Sequence, residues 1–168
     1  FYLRDEVTGR FWSPTPGPVP GGTPYVSRHG FGYSAFEHET TGIRSELIVH
    51  VASDAAVKFW VLKVRNDSGE PRKLSATGYI EWVLGDLRAK SAMHVTTEID
   101  ARNGALYARN PYNSEFADWV GVFDVDAGTY SCTEPLSLVV GETITCFTLI
   151  GSERVVVAVT ELTGTSGV

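Results

Sequence analysis

Acidic side chains on several predicted strands are the residues of this sequence whose spacing could support catalysis. A glycosidase places two carboxyl groups on either side of the bond that it cleaves. Glu37 and Glu39 are two residues apart in a predicted strand and therefore point to the same face. Three further glutamates lie on other predicted strands: Glu46, Glu81 and Glu98. Because carboxylates are also common on solvent-exposed strand faces, this spacing is unspecific, and we expect no catalytic residue here.

The histidines do not form a recognisable metal site. The chain has four of them: His29, His38, His50 and His94. They are not paired at a spacing that is typical of metal ligands, and the sequence EHE at positions 37–39 directs its histidine to the face opposite its two glutamates. The sequence also lacks a nucleophile elbow and a phosphate-binding glycine loop. We therefore expect no metal and no cofactor.

The segment RHGFGYS, residues 28–34, combines a cation and aromatic rings with two glycines. It lacks the third glycine and the following helix of a dinucleotide-binding loop. One interpretation is that Arg28, His29 and Tyr33 line an edge that contacts a ligand. The alternative is structural, because the two glycines allow a β-bulge or a close approach of two backbones.

The tryptophans are the natural candidates for stacking on sugar rings. Trp60 and Trp82 lie inside apolar runs, so we expect them in the core. Trp12 lies next to a proline-rich stretch and is predicted to be exposed. Aromatic residues make up 11% of the chain and the net charge is −6, a composition that is compatible with sugar recognition.

Length and charge limit the class of protein. The 168 residues, 43% of them hydrophobic, are sufficient for one domain with its own core. The net negative charge argues against a nucleic-acid partner, which requires a basic surface. No uncharged apolar run is long enough to insert into a membrane.

Because the chain does not begin with Met, we interpret it as a piece of a longer polypeptide. Cys132 and Cys146 are predicted to be small buried thiols, with pairing in an oxidising compartment as the alternative.

The hydrophobic pattern alternates with period two and is interrupted by Gly, Asp, Asn and Pro, which is typical of strands and turns. Strands are predicted at 43–51, 57–64, 74–84, 93–99, 105–109, 119–125, 136–140, 143–150 and 155–162. Two hairpins flank SPTPGPVPGGTP, residues 13–24, which must run as an extended surface loop. Only GDLRAKSAMH, residues 85–94, has helical character, of one or two turns. The pattern predicts an all-β fold, an antiparallel β-sandwich with very little helix.

Three long segments resemble a known family: RDEVTGRFWSPTP, YVSRHGFGYSAFEHETTGIRSELIVHV and VKFWVLKVRNDSGEPRKLSATGYIEWVLG. They are similar to the N-terminal β-sandwich domain of glycoside hydrolase family 94, which contains cellobiose and related phosphorylases and the phosphorylase-like region of cyclic β-1,2-glucan synthases. The continuation GDLRAKSAMHVTTEID and GALYARNPYNSEFADWVGVFDVD is more similar to the synthases than to the small phosphorylases. The resemblance covers residues 1–126 and ends before the divergent strands predicted at 127–168.

The resemblance implies an antiparallel supersandwich, like that of galactose-mutarotase-like proteins, that precedes an α-helical barrel. The active site of such an enzyme belongs to the barrel, so the chain, as a single domain of residues 1–168, is not expected to be catalytic by itself. The implied partners are the barrel, a β-glucan or oligosaccharide, and a second copy in a homodimer. For a glucan synthase the parent is an inner-membrane protein with this soluble domain outside the bilayer, on the cytoplasmic side. The candidates for contact with carbohydrate or with a partner's active site are Arg28, His29, Tyr33, Trp12 and Glu37.

Three functions remain open at this point. The first is a non-catalytic sandwich domain that supports domain packing, dimerisation and glucan contact in a parent enzyme. The second is a free-standing carbohydrate-binding module, which requires exposed aromatic side chains. The third is a small glycan-acting enzyme that uses Glu37, Glu39 or Glu81.

Overall fold

A computed structural model describes residues 1–102, 104–114, 117–126, 136–138 and 143–152 of the chain. Its strands are β1 (Tyr2–Asp5), β2 (Phe11–Trp12), β3 (Tyr25–Gly30), β4 (Tyr33–Thr40), β5 (Ile43–Val51), β6 (Val57–Asn66), β7 (Arg72–Thr77), β8 (Thr96–Ile99), β9 (Leu106–Arg109), β10 (Val120–Asp126), β11 (Leu136–Leu138) and β12 (Thr143–Ser152). One short helix, α1 (Arg88–Ser91), continues into a 3₁₀ turn at Ala92–His94. The prediction of an all-β fold with very little helix is confirmed.

The described strands form two antiparallel sheets. The large sheet has the order β3-β4-β5-β6-β12-β10-β9-β8, and the small sheet has the order β11-β7-β1-β2. Strands β3 to β6 are consecutive neighbours, as expected of a meander with turns rich in Gly, Asp and Asn. In the tight turn between β4 and β5, Thr41 and Gly42 both have positive φ, at 50° and 76°. Such a turn matches the twist of the strands that it joins.

The core lies between the two sheets. Leu3, Trp12 and Leu74 reach it from the small sheet. The large sheet contributes a second set of buried side chains: Ile43, Leu47, Leu62 and Val64. Along β5, buried and exposed residues alternate in the pattern that the sequence predicted for 43–51. Apolar burial between two layers is the principal force that holds such a sandwich together.

A buried ion pair joins the first strand of the small sheet to β7. The Asp5 carboxylate lies 3.3 Å from Arg72 and accepts hydrogen bonds from the amides of Val7 and Thr8. Burial alone raises the pKa of Asp5, but those amide hydrogen bonds and the Arg72 charge outweigh it and hold the pKa below its usual value of 3.8. Asp5 therefore contributes stability that is lost as the pH falls.

The structure corrects two sequence-based predictions. The strand predicted at 74–84 ends at Thr77, because the chain leaves the sheet at Gly78, where an added Cβ would lie 2.6 Å from the ring of Phe123. Trp12 was predicted to be exposed, and this is wrong, since only 3% of it is accessible. The two-residue strand β2 turns Trp12 into the core and leaves Phe11, the preceding residue, 56% exposed.

Other predictions hold or fall outside the described residues. Residues 13–24 form neither helix nor strand, and hairpins β1–β2 and β3–β4 flank them as expected. The helical character predicted at 85–94 corresponds to α1 and the 3₁₀ turn. Cys132 and the strand predicted at 155–162 lie outside the described residues, and so does any pairing of Cys132 with Cys146.

Candidate functional site

The hairpin β3–β4 carries most of the candidate contact residues at one end of the described large sheet. Strand β3 pairs with β4 alone among the described strands, and five of its six residues are exposed. Because side chains alternate along a strand, Val26, Arg28 and Gly30 lie on the face away from the core. Tyr33 and Glu37 of β4 lie on this same face, since they pair in register with Gly30 and Val26. We call this surface the outer face.

The ring of Tyr33 lies across the backbone of Gly30. A Cβ built on Gly30 would be 2.2 Å from Cε1 and 2.5 Å from Cζ of Tyr33, so any other residue at position 30 would displace the ring. Covering a glycine at a sheet edge with a cross-strand aromatic ring is a known way to stabilise such an edge. One face of the ring is therefore covered by β3, while Tyr33 as a whole remains 48% exposed.

A short ion pair lies beside this ring. Arg28 donates two hydrogen bonds to the Glu37 carboxylate from the diagonal position on the neighbouring strand. Hydrogen bonding by Arg28 lowers the pKa of Glu37, so the carboxylate stays ionised. The outer face thus offers an open aromatic ring next to a charged pair of hydrogen-bonding groups, which is an arrangement that can stack on a sugar ring and bind its hydroxyl groups.

The aromatic character of the outer face continues across the sheet. His50 pairs in register with Tyr33, and Phe59 pairs with His50. The rings of His50 and Phe59 are stacked with their centroids 4.8 Å apart and an interplanar angle of 12°. Each of these two rings thus covers one face of the other, as β3 covers one face of Tyr33. Tyr33 is the most exposed of the three side chains, since His50 and Phe59 are both partly buried.

Four of the five carboxylates considered for catalysis form ion pairs: Glu37, described above, and Glu39, Glu46 and Glu81. Glu39 lies 3.3 Å from Arg44, and Glu46 lies 3.0 Å from Lys63. Glu81, on the irregular segment after β7, is 2.9 Å from Arg88. Within the described ranges, no group of three or more His, Cys, Asp or Glu side chains is placed to hold a metal ion.

The sheet order, the sparse helix and the hairpin geometry agree with a comparison against known families. A family model described as "Glycosyl hydrolase 94, supersandwich domain" matches residues 1–135. The chain belongs to this family. The predicted resemblance over residues 1–126 is therefore confirmed and extends slightly further along the chain.

Curated relatives of this supersandwich domain are much longer proteins. An N,N'-diacetylchitobiose phosphorylase from Vibrio furnissii is 31% identical over 133 residues, which cover 75% of this chain and 16% of the relative. The cyclic beta-(1,2)-glucan synthase NdvB of Rhizobium meliloti is 29% identical over 158 residues, 86% of this chain and 6% of the relative. A solabiose phosphorylase from Paenibacillus borealis is 33% identical over 85 residues, 50% of this chain and 11% of the relative. The chain thus spans about a sixth or less of these relatives.

The structure brings together three of the five residues proposed for ligand contact. Arg28, Tyr33 and Glu37 share the outer face of the supersandwich domain. His29 lies on the opposite face, where its Nδ1 is 2.9 Å from the hydroxyl of Ser34. Because neighbouring side chains of a strand point to opposite faces, the sequence already indicates that His29 and Arg28 do not share a face. Trp12 lies in the core, away from this face.

Sequence reasoning missed two aromatic features of this region. Phe31 occupies the tip of the hairpin and is fully exposed, because the two-residue turn Phe31–Gly32 extends beyond the last strand pair. Gly32 has a φ of 79°, which the turn requires. The stack of His50 on Phe59 was also missed, since the two residues are distant in sequence and only the register of β5 with β6 places them together.

No helix in the part of the chain that the structure describes is both long and apolar enough to cross a membrane.

Proposed function

We propose that this chain is a non-catalytic supersandwich domain of a larger glycoside phosphorylase or cyclic β-1,2-glucan synthase, and that its outer face contacts β-glucan or an oligosaccharide. In this proposal, residues 1–168 act as one domain, and the chemistry occurs in a following α-helical barrel. The relatives support the parent class, because their names describe phosphorylases and a glucan synthase. For a synthase parent, we place the domain on the cytoplasmic side of the membrane.

The observation that carries the proposal is the ring of Tyr33. Gly30 lets this ring cover the sheet edge while the side chain stays accessible. Beyond the two hydrogen bonds that it donates to Glu37, Arg28 has about three further N–H donors on the same face as the Glu37 carboxylate. An accessible aromatic ring with adjacent polar groups is the composition of a carbohydrate-contact surface, since pyranose rings have apolar faces and polar rims.

Titration with β-1,2- and β-1,4-gluco-oligosaccharides tests this contact. We expect binding that Tyr33→Ala weakens about tenfold, equivalent to ~1.4 kcal/mol, because the stacking surface is lost. Gly30→Ala should weaken binding as well, since the new methyl group displaces the ring. Tyr112→Ala is the matched control, because Tyr112 is also exposed but lies at the far end of the molecule's large sheet, after β9. Equal affinity of the Tyr33 and Tyr112 variants would refute the contact.

The same measurements separate a domain of an enzyme from a free-standing module. A module binds glucan with the same affinity whether or not the rest of the parent is present. A contact surface of an enzyme binds more tightly in the full-length parent, where the barrel holds the glucan. Release of glucose 1-phosphate from gluco-oligosaccharides by the purified 168-residue chain would contradict the non-catalytic assignment.

A second surface supports the part of the proposal that concerns domain packing. Leu87, Met93 and Tyr112 are 55%, 81% and 76% exposed. Tyr112 stacks on His94 at a centroid distance of 4.1 Å, which joins the turn after β9 to the 3₁₀ turn. Exposed apolar groups of this kind mark interfaces with other protein surfaces. We propose that they pack against the helical barrel of the parent.

A charge placed in this surface tests the packing. In the full-length parent, Met93→Glu should lower the melting temperature of the supersandwich domain, because it puts a carboxylate into an apolar interface. Val7→Glu is the matched control, since Val7 is equally exposed, at 81%, in the turn between β1 and β2. The oligomeric state of the parent tells the barrel from the second copy of a homodimer as the partner of this surface. If the barrel is the partner, Met93→Glu should leave the oligomeric state unchanged. Identical melting curves for the two variants would exclude the proposed packing surface.

A further inference from the structure

The proline-rich segment 13–24, which we call the strap, is fastened to the large sheet at a few points. Its first half is closed into a loop, because the Ser13 amide donates a hydrogen bond to the Val19 carbonyl at 2.7 Å. The Tyr25 hydroxyl donates to the carbonyl of Ser13 and accepts from the amide of Gly21, at 2.9 Å and 2.8 Å. The Thr40 hydroxyl donates to the Gly21 carbonyl at 3.1 Å. The strap is thus tied to β3 and β4 by neutral hydrogen bonds.

His38 of β4 lies at the centre of these attachments. Its ring stacks on that of Tyr25 with a centroid distance of 3.9 Å and an interplanar angle of 9°. Gly21 of the strap covers the ring as well, since a Cβ built there would lie 2.1 Å from Cε1. Only 3% of His38 is exposed. The docked strap therefore buries a titratable side chain that no other part of the proposed function uses.

The hydrogen bonds around the ring define which nitrogen carries the proton. The Thr23 hydroxyl donates its single hydrogen to the carbonyl of Glu39, so it can only accept from His38 Nε2, which lies 2.8 Å away. Nε2 is therefore protonated, and Nδ1 is the bare nitrogen. Nδ1 is buried and has no hydrogen-bond partner among the described residues. A second proton on Nδ1 would create a buried N–H⁺ without an acceptor, which is unfavourable.

The groups that face the ring do not offset this charge. Tyr25 faces it from β3, Thr23 and Gly21 face it from the strap, and Ser45 pairs with it in register from β5. All four are neutral. The stacked Tyr25 ring attracts a cation weakly, but the neighbouring carboxylates of β4 lie on the other face of the strand, where they are paired with arginines.

We propose that the strap is an acid-released clamp: protonation of His38 opens it, and segment 13–24 separates from β4 under mildly acidic conditions. Release exposes the ring to water and removes the cost of charging it. Because Tyr25 is also the first residue of β3, opening the strap loosens the start of the hairpin whose outer face carries Arg28 and Tyr33. The clamp thereby makes this hairpin sensitive to pH. This pH sensitivity does not depend on whether the outer face contacts glucan.

The direction of the effect follows from proton binding. Burial lowers the pKa of His38 from the ordinary value of 6.5 while the strap is docked. The open state, with the ring in water, binds a proton near pH 6.5, so it is favoured as the pH falls. For one proton, the ratio of open to docked strap rises by up to about tenfold per pH unit between the two pKa values. Above 6.5, both states are neutral and the pH has no effect through this group.

Nuclear magnetic resonance on the protein tests the clamp with two readouts. The ¹⁵N shifts of the His38 imidazole should show the Nε2–H tautomer at about pH 7.5 and a pKa below 6.5. The protection factors of the Val19 and Gly21 amides, corrected for intrinsic exchange, should fall between about pH 7.5 and pH 5, by up to about thirtyfold for one proton. A His38 pKa at or above 6.5, or unchanged protection factors, would overturn the proposal.

Two variants separate His38 from the other histidines. His38→Gln keeps a donor near the position of Nε2 but cannot be charged, so the strap amides should lose their pH dependence. His50→Gln is the matched control, because His50 is also stacked on an aromatic ring but on the outer face, and it should retain the wild-type pH dependence. If His38→Gln does not fold, the imidazole shifts of the wild-type protein decide the question. A pH dependence that persists in His38→Gln would also contradict the proposal.

Discussion

Replacing Trp12 with alanine removes a side chain that is 3% exposed and that packs with Leu3 and Leu74 between the two sheets. A buried aromatic residue truncated to alanine costs about 3–5 kcal/mol of unfolding free energy, from lost burial and from the cavity that remains. Phe11→Ala is the matched control, because Phe11 is the neighbouring residue on the same short strand and is 56% exposed. Its loss should cost under about 1 kcal/mol.

Trp12→Phe refines the comparison. The indole Nε1 of Trp12 is buried and has no hydrogen-bond partner among the described residues. An unsatisfied buried donor costs about 1–3 kcal/mol, so phenylalanine removes this penalty while it keeps most of the apolar contact. Urea unfolding followed by circular dichroism should therefore rank the stabilities as wild type and Trp12→Phe close together, and Trp12→Ala far below. A loss under about 1 kcal/mol for Trp12→Ala would refute the burial of this ring.

Three further changes test the electrostatics and the backbone. Asp5→Ala should cost about 1–3 kcal/mol at neutral pH, because the amides of Val7 and Thr8 lose their acceptor and Arg72 keeps only its more exposed partner Glu70. It should also flatten the loss of stability on acidification, measured by urea unfolding at several pH values, and an unchanged acid slope would contradict the role of this carboxylate. The hydrogen bond from Arg102 holds the pKa of Asp100 at about 2. Arg102→Ala should therefore raise the pKa of Asp100 towards 3.8, measured by ¹³C titration of its carboxyl group. An unchanged pKa would exclude Arg102 as the cause. Gly42→Ala should lower the free energy of unfolding by at least about 1 kcal/mol in the same urea assay. Gly42 has a φ of 76°, and the added Cβ would lie 2.8 Å from a backbone Cα of the loop after β6. An unchanged free energy of unfolding would contradict the positive φ.

Alternation along the chain predicted the parts of the fold that depend on local sequence. The strand predicted at 43–51 coincides with β5, and its buried residues Ile43 and Leu47 are those that share one face in the sequence. The strand predicted at 57–64 differs from β6 only at its end. Such segments are predictable because a half-buried strand needs apolar side chains at every second position. The alternating pattern therefore indicates directly which side chains are buried.

The candidate site was only partly predictable. Arg28, Glu37 and Tyr33 were identified, but the sequence could not show that Tyr33 covers Gly30, because that contact depends on the register of β3 with β4. The exposure predicted for Trp12 was wrong, since a proline-rich neighbourhood does not determine which way a two-residue strand faces. Pairing with β1 made that choice by placing Trp12 opposite the buried Leu3.

By itself, the sequence determined that this chain is an antiparallel all-β supersandwich domain of the glycoside hydrolase 94 family, because strand period, turn residues and long family motifs are all local features. Only the tertiary structure decided which side chains meet: Tyr33 with Gly30, His38 with the strap, and Trp12 with the core. The physical reason is that strand register and the packing of one sheet on another are set by contacts between residues that are far apart in the chain, and each contact depends on all the others.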